Sequence, residues 1–425
     1  MGLTLVEKIL SSHAGDIPVK AGDMVVANVD FAMMHDARAP NALKMIQKLK
    51  ASHLPYAKQT ALVLDHHSPP QNIEAANAHI AMRAFAKQQG SHLYDTGDGI
   101  CHQVLPEGGH LSCGDLVVGT DTHSTTYGAF NALGTGVEGT DVAAVLMTGK
   151  LWFKVPQSMR IELLAPLPPG VWAKDVTLSL LKRLGAEGAN YRSLEYVGEG
   201  VSAMGIDERM TLSNHAAELG AKAAILEADE KTLAWLKAHG AREPRVVKAD
   251  SDAGYVERLS VDSAHLAPQL ARGHQIDDVC DVGEMAGQKV DLAFVGTCTN
   301  GRLDDIAQVV HILKGRRLAS GVRMIVTPAS RHIYLEALRL GYVEALTRAG
   351  VMVEPAGCGA CANITSHVIP GDQQVVISSA NRNFKGRLGN PSSQILIGSA
   401  ATVAAAALTG KVTDPREFFV DRIYA

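Results

Sequence analysis

Apolar and polar positions alternate most clearly in the last third of the chain. Short apolar runs at 290–295, 322–326, 351–354 and 374–377 are separated by longer stretches with helical spacing. Such runs match strands buried on both faces, joined by crossover helices, and predict a doubly wound, mostly parallel sheet. The first 154 residues repeat the pattern, with a strand expected at 61–64, a helix over 72–89 and a strand at 116–119. The glycine-rich stretch 128–139 is read as tight turns rather than a nucleotide loop, and the chain has no Walker pattern. Pro156, Pro166, Pro168 and Pro169 mark a boundary. An alanine-rich middle segment follows, with helical stretches at 213–219 and 230–238. The expected fold class is therefore α/β, in three domains: 1–154, 155–270 and 271–425.

Composition narrows the function. The chain has 425 residues, 46% hydrophobic and 20% charged, too many for one core. Its net charge of −4, without a long basic run, argues against nucleic acid or a membrane surface as partner. The first ten residues, Met1 to Leu10, mix charges and lack the apolar region of a signal peptide. No apolar stretch approaches the roughly 20 residues that span a bilayer. Six cysteines without an export signal fit a reducing compartment, so a cytoplasmic location is expected.

The chemistry gathers at the predicted strand ends. Cys298 lies in Gly296-Thr-Cys-Thr-Asn-Gly-Arg302 after the first late run, and Cys358 and Cys361 lie in Gly357-Cys-Gly-Ala-Cys-Ala-Asn363 after the third. Asn381-Arg-Asn-Phe-Lys-Gly-Arg387 follows the fourth. All three motifs fall just past the carboxyl ends of strands, where open α/β sheets place their ligands. Three thiolates form an incomplete set: structural zinc takes four protein ligands, whereas an iron–sulfur cluster held by three leaves one iron open. Zinc would need His311 or His367 as its fourth ligand, and Cys358/Cys361 alone would read as a redox dithiol. Cys101, Cys113 and Cys280 lack metal-type spacing and read as buried small residues.

Several of the 17 histidines sit beside acids or close apolar runs: Asp65-His66-His67, His102, and Asp121-Thr-His123. The spacing of Asp121 and His123 places both on one face of a strand. A histidine held by a carboxylate is a poised acid or base; a His/Asp metal centre is the competing reading. Arg382 and Arg387 suit a substrate with several carboxylates, because a guanidinium fork binds them bidentately. Glu195 alone reads as an exposed strand residue.

Taken together, the motifs around Cys298, Cys358/Cys361, Asn381–Arg387, Asp121/His123 and Asp65-His66 resemble the aconitase superfamily. The match runs from about Met33-Met-His35-Asp36 to the end of the chain. Within it the chain is similar to the large subunits of two-subunit hydro-lyases acting on small hydroxy-acids. The resemblance implies that Cys298, Cys358 and Cys361 hold one [4Fe–4S] cluster per chain. It implies that His66, paired with Asp121, protonates the departing hydroxyl, and that Asp65, His102, His123 and Glu195 surround the cluster and its bound water. It gives Arg382, Arg387, Asn381 and His35 to substrate binding. The general base of the family belongs to a swivelling domain that this sequence lacks, so a separate small subunit is expected to supply it. Competing readings are an iron-responsive RNA-binding relative, disfavoured by the absent basic patch, and a zinc-stabilised scaffold.

Overall fold

The computed structural model describes residues 2–51, 54–361 and 369–419. Asn363, at the end of the second cysteine motif, and His367 lie outside them.

The chain packs as two compact units rather than three. The first contains Met1–Thr96, Cys101–Leu164 and Ala189–Val261, and the second contains Gly97–Ile100, Ala165–Gly188 and Asp262–Ala425. The expected middle domain, 155–270, does not stand by itself. Ala223 and Ile225 enter the same core as Leu5, Met34, Leu62 and Val118, whereas helix Ala173–Leu184 packs on strand Gln269–Ala271. Burial of apolar side chains, not position along the chain, draws the division.

In the first unit five parallel strands lie in the order His92–Tyr94, Thr60–Val63, Phe31–His35, Leu116–Gly119, Leu133–Gly136. The chain begins at Phe31–His35, winds outward on one side, then returns to start the other at Leu116–Gly119. That reversal is the topological switch point of a doubly wound sheet, where a crevice opens at the carboxyl ends. The predicted helix appears as Ile73–Gln89; Asn72 accepts the Ala75 amide at 2.8 Å to begin it, and Gly90 ends it in the left-handed conformation. A second, fully parallel sheet runs Ala223–Leu226, Ser193–Val197, Ser158–Leu163, Glu257–Val261. Met24–Asn28 and Lys150–Lys154 form an antiparallel ribbon.

The stretch 128–139 is not a run of turns. Strand Leu133–Gly136 occupies its middle. A Cβ on Gly128 would lie 1.6 Å from the carbonyl oxygen of Ala224, so this glycine lets two backbones approach closely.

In the second unit a seven-stranded sheet has the order Val279–Asp281, Gln269–Ala271, Gln394–Ile397, Val375–Ser378, Leu292–Val295, Arg323–Val326, Met352–Val353. The last five are parallel and the first two antiparallel. The four predicted late strands are present, and all of Leu292–Val295 is buried. The switch point here falls between Leu292–Val295 and Val375–Ser378.

Among the described residues no helix is long and apolar enough to cross a membrane.

Candidate active site

Each unit carries functional side chains at its own switch point. In the first, Phe31–His35 ends on His35, and the turn after Leu116–Gly119 presents Asp121. Asp121 does not share a strand face with His123, as their spacing predicted. It caps the 3-10 segment Thr122–Phe130, accepting the His123 amide at 2.7 Å. Its carboxylate collects three imidazoles: His102 Nε2 at 2.9 Å, His66 Nε2 at 3.4 Å and His123 Nδ1 at 3.3 Å. Asp65 holds His66 Nδ1 from the other side at 2.8 Å and accepts the Cys101 amide at 2.8 Å.

The protonation pattern follows. Burial alone would neutralise His66, but the carboxylates of Asp65 and Asp121 outweigh it and hold the imidazole well above its usual pKa. Burial would also raise Asp121, yet hydrogen bonds from His102, His123 and His66 keep it well below the usual carboxylate range. His35 behaves oppositely: burial and the neighbouring His66 charge push it down to about 4. The two rings lie 4.1 Å apart by centroid, so a neutral imidazole packs on a charged one. His35 Nε2 donates to the Thr120 carbonyl at 3.1 Å, leaving Nδ1 an acceptor that is buried without a partner. His66 keeps 15% of its side-chain surface accessible, enough for a ligand to reach it.

Two supporting groups were not legible in the sequence. Asp36 accepts the amides of His66 and His67 at 3.0 and 2.9 Å and His79 Nε2 at 2.9 Å, which fixes the turn carrying His66. Glu218 binds His123 Nε2 at 2.8 Å. Glu218 sits in the 3-10 turn Ala216–Leu219, and no local pattern marked it.

Glu195 is not brought to this cluster. Buried on strand Ser193–Val197, its carboxyl group accepts the Leu5 amide at 2.7 Å and the Tyr255 hydroxyl at 2.5 Å. Burial raises its pKa to about 7 despite both donors. An unfolded glutamate titrates near ~4.3, so between that pH and about 7 the folded state binds more protons and stability falls as pH rises. Glu195→Gln is expected to flatten that fall, worth on the order of 2–3 kcal/mol. Thermal unfolding of both proteins at pH 5 and pH 8 measures it, and an equal loss in the variant contradicts it.

In the second unit, Cys298 follows Leu292–Val295 through Gly296 and Thr297. Thr297 has φ +75°, an unusual backbone for a β-branched residue, and such strain persists only where surroundings hold it. Here Thr297 Oγ1 donates to Asn381 Oδ1 at 3.3 Å, and the Cys298 thiol approaches the same oxygen at 3.8 Å. Arg302, 1% exposed, donates to the carbonyls of Cys298 and Thr299, both at 2.7 Å. Asp305 accepts the amides of Gly301 and Arg302 at 2.9 and 3.0 Å and begins helix Leu303–Leu313. Lys174 Nζ donates to Thr299 Oγ1 at 2.5 Å and to the Ala380 carbonyl at 3.1 Å.

The other two cysteines reach the same end of the sheet. Gly359 has φ +60°, and a Cβ there would come within 2.6 Å of Thr327 Oγ1, so the turn between Cys358 and Cys361 seats tightly on the end of strand Arg323–Val326. Arg387 donates to the Cys361 carbonyl at 2.7 Å and to its Sγ at 3.1 Å. Asn381 and Arg387 thus link Cys298 and Cys361 to one loop. Arg382, in the same loop, is partly buried.

This donor set fits an iron–sulfur cluster: three soft sulfurs, one of which accepts an N–H from Arg387. Of the two histidines that a zinc site would draw on, His311 is engaged elsewhere: it bonds the Phe418 carbonyl at 3.0 Å and stacks on Phe419. Cys101, Cys113 and Cys280 are buried, as their spacing implied.

Comparison with known proteins agrees. The family model described as Aconitase family (aconitate hydratase) matches residues 7–410. The chain is 43% identical, over 98% of its length and all of the relative's, to "3-isopropylmalate dehydratase large subunit 1" of Methanopyrus kandleri. It is equally similar, with the same coverage, to the protein of that name from Thermotoga maritima. It is 40% identical, over 98% of each chain, to the "Probable methanogen homoaconitase large subunit" of Methanothermobacter thermautotrophicus. The crystal structure of Thermococcus kodakaraensis aconitase X (holo-form) superposes with a TM-score of 0.52 at 12% identity, covering 89% of this chain and 90% of that one, which supports the fold alone. The chain belongs to the aconitase family of hydro-lyases.

Proposed function

We propose that this chain is the large subunit of a [4Fe–4S] hydro-lyase that interconverts 2- and 3-isopropylmalate in leucine biosynthesis, in the cytoplasm. The observation that carries the chemistry is His66, a reachable imidazole kept protonated by Asp65 and Asp121. Hydroxide is a poor leaving group, and a proton delivered to its oxygen removes the developing negative charge.

When bound by Cys298, Cys358 and Cys361, the cluster supplies a Lewis-acidic iron for the substrate hydroxyl and a carboxylate. The chain's own residues do the rest. His66 Nε2 donates the proton; Asp65 holds its ring orientation through Nδ1. Asp121 aligns His102 and His123 beside it, and neutral His35 offers an acceptor nitrogen. Arg382 and Arg387 are assigned to substrate carboxylates, with Asn381 between them and Cys298. The general base is assigned to a small partner subunit, a reading supported by the "large subunit" names of the relatives.

Homoaconitate hydration is the second reading, favoured by the homoaconitase relative. Anaerobically reconstituted chain, mixed with candidate small subunits, should be assayed on isopropylmalate, homocitrate-type acids, citramalate and dimethylmalate. The highest kcat/KM is expected for isopropylmalate, with no turnover by the large chain alone. Turnover without a partner contradicts the two-subunit assignment, and preference for a homocitrate-type acid replaces the substrate.

A further inference from the structure

Helix Ile73–Gln89 turns one stripe inward: Ala75, His79, Met82 and Ala86 are its buried residues, at the three- and four-residue spacing of a single helical face. Met82 and Ala86 join the core of the first unit. His79 is the polar member of the stripe, 1% exposed, and a polar group buried there is costly without a hydrogen bond. Its partner is Asp36, equally buried, just past the end of strand Phe31–His35. His79 Nε2 donates to Asp36 Oδ2 at 2.9 Å. The same oxygen accepts the His67 amide at 2.9 Å, and Oδ1 accepts the His66 amide at 3.0 Å. Burial would raise Asp36, but the His79 bond, the His66 charge and the His67 amide outweigh it and hold the carboxyl below its usual range.

Four ionisable groups face the His66 ring. Asp65 comes from its own turn, Asp36 and His35 from the end of Phe31–His35, and Asp121 from the turn after Leu116–Gly119. Asp65 holds Nδ1 at 2.8 Å, whereas Asp36 Oδ1 stands 3.9 Å from the same nitrogen, beyond hydrogen-bond reach. A buried carboxylate takes the donors within its reach. With three N–H groups, from 66, 67 and 79, Asp36 is satisfied where it stands. Without His79, the Nδ1–H of His66 becomes its alternative donor.

We propose that His79 is a positioning residue for His66: acting through Asp36, it holds the 66–67 turn by its amides and keeps the Asp36 carboxylate off the imidazole, so that Nδ1 stays with Asp65 and Nε2 with Asp121. A helix outside the histidine cluster thereby sets the aim of the acid.

This inference rests on the acid role proposed for His66, and two readouts separate them. The first is turnover by the reconstituted chain with its small subunit, as wild type, His79→Leu, His79→Gln and Asp36→Asn. Leucine removes the donor, so kcat is expected to fall roughly 10–100-fold, the cost of a misplaced group, with KM unchanged. Glutamine restores an N–H near the position of Nε2 and is expected to recover most of kcat. Asp36→Asn removes a negative charge beside His66, so the alkaline limb of the kcat profile is expected to move to lower pH by about half a unit or more. The second readout is hydrogen exchange of the His66 and His67 amides in the chain alone, which is expected to be severalfold faster in His79→Leu and near wild type in His79→Gln. Wild-type kcat in His79→Leu overturns the proposal, as do equal losses in the leucine and glutamine variants. A lowered melting temperature with unchanged kcat and unchanged exchange leaves a purely structural histidine and overturns it too. If the leucine variant does not fold, Asp36→Asn carries the test, and an unmoved limb overturns the proposal. A wild-type complex inactive on every hydroxy-acid sinks the acid role, while the exchange contrast still upholds the hold on the turn.

Discussion

Cys298→Ser is expected to leave the chain unable to retain a complete iron–sulfur cluster and, with its partner subunit, without measurable turnover. The size of the effect comes from the donor count. A cluster of the proposed type, held by three thiolates, would leave one iron without a protein ligand, so the loss of one thiolate would leave only two. Serine keeps the shape and the hydrogen bonding of the turn, and the surrounding frame does not depend on the sulfur: Arg302 still bonds the carbonyls at 298 and 299, and Asp305 still caps the helix. Loss should therefore appear in iron and sulfide content and in visible absorption, while thermal unfolding of the apoprotein stays near wild type. Cys358→Ser and Cys361→Ser should behave alike. Cys280→Ser, on a buried thiol near the Leu270 carbonyl, should keep its cluster. A full complement of iron in the Cys298 variant would contradict the ligand assignment.

His66→Asn is expected to lower kcat by roughly 10²–10⁴-fold, the usual worth of a positioned general acid, with the cluster intact. The pH dependence gives an independent check. In the proposed role His66 acts in its charged form, so activity is expected to fall as pH rises through its pKa, which Asp65 and Asp121 hold well above the ordinary histidine value. Asp121→Asn removes one of those carboxylates. The alkaline limb of the kcat profile should then move to lower pH, because the proton leaves His66 more easily. An unmoved limb would assign it to another group. His35, pushed to about 4, adds no inflection near neutrality.

The late strands were legible because parallel strands buried on both faces read as continuous apolar runs. Leu292–Val295, Arg323–Val326 and Val375–Ser378 appear where those runs lie. The antiparallel pair Gln269–Ala271 and Val279–Asp281 was not, because each has only three residues and its pairing is set by distant partners. Asp65, His66, His102 and Asp121 were recognisable as motif residues, and the structure joins them through the two carboxylates, with Asp121 shared by His66 and His102. Glu195 fails for an instructive reason. A glutamate in a buried strand looks the same in sequence whether it faces a catalytic histidine or, as here, the Leu5 amide and Tyr255. Glu218, His79 and Lys174 carried no signal because their partners are respectively 95, 43 and 125 residues away.

By itself the sequence determined the α/β class, the position of the thiols beyond strand ends and the residue types available for acid chemistry, because these depend on local spacing. Only the tertiary structure decided which carboxylate serves which histidine, which histidine is charged and which cations support the cysteine turns. Those properties depend on burial and on distances of about 3 Å between residues far apart in the chain, and no local pattern encodes them.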